Sequence, residues 1–212
     1  MTGNRRWFSR AVLGMMLAGI GLACFWGVTV AGQDLVRVRV VEDLRYTMPE
    51  PQAQKEAAST AKSAYGFIQT TGAGLGLLAF GPICVRLGRK RTFALMHVGA
   101  FVSTVVICLV PKNYGEMKWL LPIFGFFTLS MHAGYAIYFP ELFPTHLRAT
   151  GTGVCFNGGR LLAAPMLWVS GWLKSPEVMG LHNAVLLLST LFLVALIVIA
   201  LLPETKDKPL PE

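Results

Sequence analysis

Long apolar stretches separated by short polar ones run through most of the chain. Runs close to the roughly 20 residues that a helix needs to cross a bilayer occur six times. Only the fifth run contains a charged residue, Arg160, and all eleven acidic residues lie outside the runs. Lipid offers the backbone no hydrogen-bond partner, and a membrane β-barrel would show short alternating segments instead. We therefore predict an all-α polytopic membrane protein with six spans, at residues 11–32, 65–85, 92–110, 119–139, 149–173 and 181–202.

The connections between the runs give the expected domain organisation. Within the long first connection, Leu35, Val38, Val41 and Leu44 recur at a spacing of three, which predicts an amphipathic helical extension. The following stretch is rich in Pro, Gln, Ala and Ser and is typical of a flexible or partly helical linker. The predicted order is an N-terminal segment 1–10, span one 11–32, an external loop 33–64, spans two to six within 65–202, and a tail 203–212.

Composition and charge agree with a membrane protein. The 212 residues are 54% hydrophobic and only 14% charged, which is too apolar for an ordinary water-soluble domain. Short loops on one side carry ten Lys and Arg residues against three on the other, so the positive-inside rule predicts both termini in the cytoplasm. The long loop would narrow that margin to ten against eight, but its five cations are matched by five acids. The net charge of +8 thus indicates topology in a cell membrane and contact with anionic lipid, not nucleic-acid binding.

The four cysteines indicate neither a disulfide framework nor a metal site. Cys24, Cys84, Cys108 and Cys155 all lie within the predicted spans, without a C-x-x-C pair or clustered histidines. We therefore expect small apolar packing residues at these positions, and neither a metal nor a cofactor.

Three motifs occur at the predicted ends of spans. "GPICVRLGRKR" covers 81–91, "PELFPTHLRATG" covers 140–151 and "PETKDK" covers 203–208. Together they resemble the major facilitator superfamily signatures G-x-x-x-D-R-x-G-R-K-R, P-E-x-x-P-T-x-x-R-x-T-G and P-E-T-K-G-K, in the right order and separated by the right number of helices. Val85 and Asp207 depart from the pattern, since they replace an aspartate and a glycine.

The resemblance covers only the C-terminal half of that family's fold, spans seven to twelve. It implies a sugar- or metabolite-porter-like secondary transporter, not an enzyme, which moves a small polar solute by alternating access, with protons as a candidate coupling ion. A half has one wall of the central site, so a separate N-terminal half or a second copy is an implied partner. A truncated or split gene remains an alternative, because Met1 stands where the family has a central linker.

The resemblance also implies a charged gate at the cytoplasmic ends of the spans. Ion pairs there would hold the inner gate shut, although exposed interfacial pairs would each contribute under about 1 kcal/mol. Both interpretations stay open. The gate candidates are Gly81, Arg86, Gly88, Arg89, Arg91, Glu141, Arg148 and Glu204.

Arg160 is the main candidate for solute binding. Counted from Ala149 at 1.5 Å per residue, it lies roughly 15 Å deep, near the middle of the bilayer. Charges there usually face a cavity and mark a pathway, and Asn157 shares its helical face. A structural arginine bonded to helix-end carbonyls is the alternative. An anionic solute such as an organic acid fits Arg160, and span one lacks the Q-Q-x-x-G-x-N stretch of hexose porters.

Other polar or aromatic residues in the spans are expected to line the same cavity. They are His132, Tyr135, Gln69 and Trp26, with ordinary packing as the alternative for His132 and Trp26. A proton-relay role is a further alternative for His132. An intramembrane protease would need G-x-S-G, and the first glycine is absent before Ser170, where Trp168 stands.

Overall fold

The structure, a computed structural model, describes residues 2–211 and is all-α over that range. Two short π-helical segments, Phe25–Thr29 and Ala64–Gln69, interrupt otherwise regular helices. The α-helices are α1 Thr2–Cys24, α2 Ala31–Leu44, α3 Glu50–Ser63, α4 Thr70–Leu87, α5 Arg89–Leu109, α6 Tyr114–Glu141, α7 Arg148–Lys174 and α8 Gly180–Leu201.

Five helical stretches of the described chain are long and apolar enough to cross a membrane. They are Arg5–Leu44, Glu50–Leu87, Arg89–Leu109, Tyr114–Glu141 and Gly180–Leu201. The 27-residue α7 is less apolar, because it begins with small and polar residues and carries Asn157 and Arg160. It nevertheless packs along α1 as the sixth helix of the bundle, which confirms the predicted all-α polytopic fold.

Small residues allow the closest helix pairs to form. α4 packs along α6, where a Cβ at Gly76 would lie 2.3 Å from the carbonyl oxygen of Phe126. Gly159 of α7 makes a similarly close contact with α1, since a Cβ at Gly159 would lie 2.5 Å from the Cβ of Ala18. Backbones approach this closely in membranes because packing, not water exclusion, drives helix association.

The connection at residues 33–64 is almost entirely helical. α1 continues through its π segment into α2, and α3 returns antiparallel to α2. Ala53, Ala57 and Ala61 of α3 are buried, as are Leu35 and Val36 of α2. The helical extension predicted from the spacing of apolar residues is present. The predicted linker is a full helix, because alanines at a spacing of four give α3 an apolar stripe.

Candidate functional site

The α4–α5 turn, the α6–α7 turn and the segment after α8 meet at one end of the bundle, which we call the basic end. There Arg89 donates two hydrogen bonds to Glu141, at 2.9 Å from Nε and 2.6 Å from Nη2. The hydroxyl group of Thr205 donates to the same carboxylate at 2.5 Å. Both ionic side chains are only 17% exposed, so this two-point ion pair is well shielded from water.

Glu204 caps the N-terminus of α5. Its carboxylate accepts hydrogen bonds from the backbone N–H groups of Arg89 at 3.0 Å and Lys90 at 3.1 Å. The N–H groups of Thr205 and Lys206 donate to it as well. The first N–H groups of a helix have no partner within the helix, and they favour negative charge. Burial alone would raise the pKa of Glu204, but these four donors together hold that pKa below its ordinary value of 4.5.

The tight turn between α4 and α5 requires a glycine. Gly88 has φ +92° and ψ 166°, a conformation that side-chain-bearing residues rarely adopt. A Cβ at this position would also lie 2.9 Å from Oε2 of Glu204. A side chain at position 88 would therefore disturb both the turn and the carboxylate that caps α5.

Lysine and arginine side chains link other helices to the basic end through hydrogen bonds to backbone carbonyl groups. Lys90 donates to the carbonyl oxygen of Ala200, and Lys206 donates to that of Arg86, both at 2.8 Å. Arg10 of α1 donates to the carbonyl oxygen of Leu142 at 2.8 Å. The basic end thus joins α1, α4, α5, α6 and α8.

The other predicted gate residues make fewer contacts at the basic end. Arg148 donates to the carbonyl oxygen of Pro140 at 3.2 Å, and so closes the α6–α7 turn. Arg86 contributes its backbone carbonyl only, and Arg91 is exposed without a side-chain bond to any described residue. Gly81 has open space where a Cβ would stand. The structure therefore gathers Gly88, Arg89, Glu141 and Glu204 into one network, and leaves the guanidinium groups of Arg86 and Arg91 outside it.

Two cavities of the described chain are lined by both α6 and α7. The first has a volume of about 560 Å³ and the second about 440 Å³, and His132 borders both. Described residues lining the first are Leu22, Phe25, Trp26, Leu77, Leu129, His132, Arg160, Ala163, Ala164 and Leu167. Those lining the second are His132, Tyr135, Ala136, Phe139, Ala149, Thr152, Gly153, Phe156 and Asn157.

Arg160 lines the first cavity, and its guanidinium group makes few polar contacts. Its Nη1 donates to Oδ1 of Asn157 at 3.3 Å, and its guanidinium lies 4.5 Å from the centre of the Phe156 ring. Within residues 2–211, no carboxylate lies within ion-pairing distance of it. The side chain is exposed, so its charge is available to a group that enters the cavity.

The predicted aromatic residues border the cavities in different ways. Trp26 is 42% exposed on the first cavity and meets Phe25 edge to face, with ring centres 5.1 Å apart. Tyr135 is buried, and its hydroxyl group donates to the carbonyl oxygen of Leu17 at 3.3 Å. The ring of Tyr135 therefore forms cavity wall while its hydroxyl is engaged in helix packing.

Gln69 lies apart from the described lining of both cavities. It is buried, and its Nε2 donates to the carbonyl oxygen of Thr29 at 2.8 Å. This bond joins the two π segments. Phe156 was missed as a cavity residue, although its position four residues before Arg160 places the two side chains on one helical face.

Comparison with known proteins shows which family the chain belongs to. The family described as "Sugar (and other) transporter" matches residues 66–212. A probable 4-methylmuconolactone transporter of Cupriavidus pinatubonensis is 31% identical over 75% of this chain and 37% of its own length. A cis,cis-muconate transport protein of Acinetobacter baylyi is 35% identical over 53% and 27%. An arabinose-proton symporter of Bacillus subtilis is 30% identical over 69% and 33%.

The chain belongs to the sugar (and other) transporter family of the major facilitator superfamily. This confirms the resemblance to that superfamily and, with the apolar helices, the predicted multi-pass membrane protein. The chain spans about a third of the length of these curated relatives.

Proposed function

We propose that the protein is a secondary transporter of a small organic anion that works by alternating access. The observation that carries this proposal is Arg160, whose charge meets a cavity with otherwise mostly apolar walls. A charge near the middle of a bilayer is costly, and residues that bear one usually serve a solute or ion pathway.

The chemistry of the first cavity supports an organic acid over a sugar. Among its described lining residues only Trp26, His132 and Arg160 carry polar side-chain atoms. A sugar presents many hydroxyl groups, and each needs a partner when it leaves water. An acid with an apolar body needs one cation and an apolar wall, and this cavity offers both. A relative named for cis,cis-muconate, a dicarboxylate, supports the same solute class.

The network at the basic end is proposed to be the cytoplasmic gate. The loops at this end carry the larger share of cations, which favours the cytoplasmic side for it and for both termini. An ion pair that joins α5 to α6, with a cap from the segment after α8, would hold this end closed. Breaking the network would then be part of opening the cavity to the cytoplasm.

A second wall for the cavity is part of the proposal. Arg160 and Asn157 are both exposed on the same face of α7. In the major facilitator fold the site lies between two six-helix halves. We propose that an N-terminal half, or a second copy of this chain, covers this face. The alternative is a split half that does not transport until its partner half is supplied.

Uptake into liposomes tests these proposals. The purified protein is reconstituted alone, and then with a six-helix N-terminal half of a related transporter, and uptake of cis,cis-muconate and of arabinose is measured. Saturable muconate uptake by the chain alone supports completion by a second copy. Uptake only with the added half supports the split alternative. Absence of muconate uptake in both preparations would overturn the proposed function, and preference for arabinose would overturn the solute class.

A further inference from the structure

His132 is placed where the two cavities meet. Its ring borders both and lies edge to face with Phe25 and Tyr135, at centre distances of 5.7 and 5.5 Å. Arg160 lines the first cavity and Asn157 the second. A solute that contacts Arg160 therefore comes close to this imidazole.

The hydrogen bonding of His132 shows which ring nitrogen is basic. Nδ1 lies 3.2 Å from the carbonyl oxygen of Leu129. Because a carbonyl oxygen can only accept, Nδ1 carries the hydrogen in the neutral ring and Nε2 holds a lone pair. Nε2 is buried and has no hydrogen-bond partner among residues 2–211. The ring is thus held in the tautomer that can take up one proton at Nε2.

His97 provides a natural comparison. Its Nδ1 lies 2.7 Å from the carbonyl oxygen of Phe93, and its Nε2 also lacks a partner within the described chain. His97 is fully buried, however, and is absent from the described lining of both cavities. The two histidines share a tautomer, and only His132 combines it with a position on the proposed solute path.

The groups around His132 favour a proton only when an anion is present. Charged or titratable neighbours are Arg160 on α7, Tyr135 on α6, His97 on α5, and the buried thiol of Cys24 beside Tyr135 on α1. The first π segment and α4 contribute the uncharged Phe25, Trp26 and Leu77. None of these neighbours is a carboxylate. With Arg160 already positive, a second cation is unfavourable until a carboxylate enters.

We propose that His132 is the binding site of a proton that is transported together with the organic anion. The inference rests on the proposed function. One proton passes from water to Nε2 as the anion binds, and returns to water on the opposite side as the anion leaves. By linkage, each of the two ligands then strengthens the binding of the other. None of the eleven acidic residues lies in an apolar run, so within these runs histidine is the residue type suited to carry a proton near neutral pH.

The test separates coupling from solute binding. The transport-competent preparation, alone or with its second half, carries either wild-type protein or His132→Gln, which cannot titrate. Two rates are measured with cis,cis-muconate: exchange across the membrane without a gradient, and accumulation driven by a pH gradient with an alkaline interior. We expect His132→Gln to lose both accumulation and muconate-induced proton uptake. Because the proton no longer supports binding of the anion, half-maximal exchange should require more muconate, while exchange at saturating muconate should continue.

Two control substitutions accompany it. His146→Gln changes an exposed histidine in the α6–α7 turn, and His97→Gln changes the histidine with the same tautomer away from the cavities. Both should retain gradient-driven accumulation.

Each of the other outcomes contradicts either this inference or the proposed function. If His132→Gln still accumulates muconate, the inference is wrong. If it loses exchange together with accumulation while remaining folded, His132 serves solute binding, and the proton role is also wrong. A wild-type protein that exchanges muconate without responding to the gradient overturns the inference but keeps the proposed function. A wild-type protein without exchange overturns the proposed function itself.

Discussion

Arg89 and Arg160 are both arginines of one helical bundle, yet their surroundings differ. At the basic end Arg89 has a carboxylate partner, two short hydrogen bonds and little exposure. At the cavity Arg160 has one amide and one aromatic ring. The first arrangement is satisfied by the chain itself. The second leaves its charge for a group from outside, and on this difference we propose a gate for the basic end and a binding site for the cavity.

The two regions should therefore respond differently to mutation. Removing one partner of a shielded ion pair leaves the other partner buried and uncompensated, and this destabilises the closed end. Removing an exposed charge from a cavity costs the fold little but removes the interaction with the ligand. Stability and transport measurements can separate the two effects.

Arg160→Gln should have the largest effect. We expect muconate uptake to fall on the order of 100-fold, because a charge-assisted interaction of roughly 3 kcal/mol is lost. The thermal midpoint should stay near that of wild type, since Arg160 is exposed. The measurement is initial uptake rate per inserted protein. Arg45→Gln, an exposed arginine at the end of α2, is the matched control. Normal uptake by Arg160→Gln would remove the cavity role.

Glu141→Gln should loosen the basic end. Arg89 then loses its carboxylate partner, and we expect the closed end to weaken by about 2 kcal/mol, or roughly 30-fold in the closing equilibrium. Cys84 reports this change, because it is 1% exposed on α4 and lies near Arg89. Its rate of reaction with N-ethylmaleimide, followed by mass spectrometry, should rise.

Glu42→Gln is the matched control for that experiment. Glu42 pairs with Arg39 at 2.8 Å on α2, but its side chain is 49% exposed. Exposed pairs contribute under about 1 kcal/mol, so Cys84 labelling should not change. Equal labelling of Cys84 in Glu141→Gln and wild type would show that the ion pair does not hold the end closed.

Gly88→Ala should lower stability by about 1.5 kcal/mol through backbone strain and crowding of Glu204. The comparison is Gly81→Ala, a helical position with open space around it, where alanine should be neutral or slightly stabilising. Thermal midpoints of the two purified variants give the contrast. Similar midpoints would mean that the turn tolerates a side chain.

The smallest expected effect is the pH dependence of the Glu204 cap. Because its pKa is held below 4.5 in the folded protein, the cap stabilises the fold above pH 4.5. That stabilisation is lost as the pH falls through the lowered pKa. The thermal midpoint of Glu204→Gln should therefore lie below wild type at pH 7, and the gap should narrow in acid. Glu177→Gln, exposed between α7 and α8, should show no such narrowing.

Local signals predicted much of this molecule. The apolar runs predicted the helices, because that signal lies within short segments. The family resemblance carried by the motif around Gly88 and Arg89 implied which loops meet. Arg160 stood out since a charge in an apolar run is rare. Asn157, three residues earlier, followed from helical geometry alone.

Other features depend on contacts between distant segments. The Glu204 cap forms because α8 ends beside the start of α5, and the sequence of neither segment indicates that packing. Gln69 is polar within an apolar run, so it resembled a cavity residue, but the packing of two π segments places it between them. The position of His132 between two cavities likewise follows from the packing of α1, α6 and α7.

The most direct test of the account is the binding of cis,cis-muconate to the purified protein, with its second half where transport requires one, by isothermal titration calorimetry. We expect saturable binding that Arg160→Gln weakens on the order of 100-fold and that Glu141→Gln retains. Binding that survives Arg160→Gln unchanged, or that depends on Glu141 instead, would contradict the division between a cavity that binds the solute and an end that closes it.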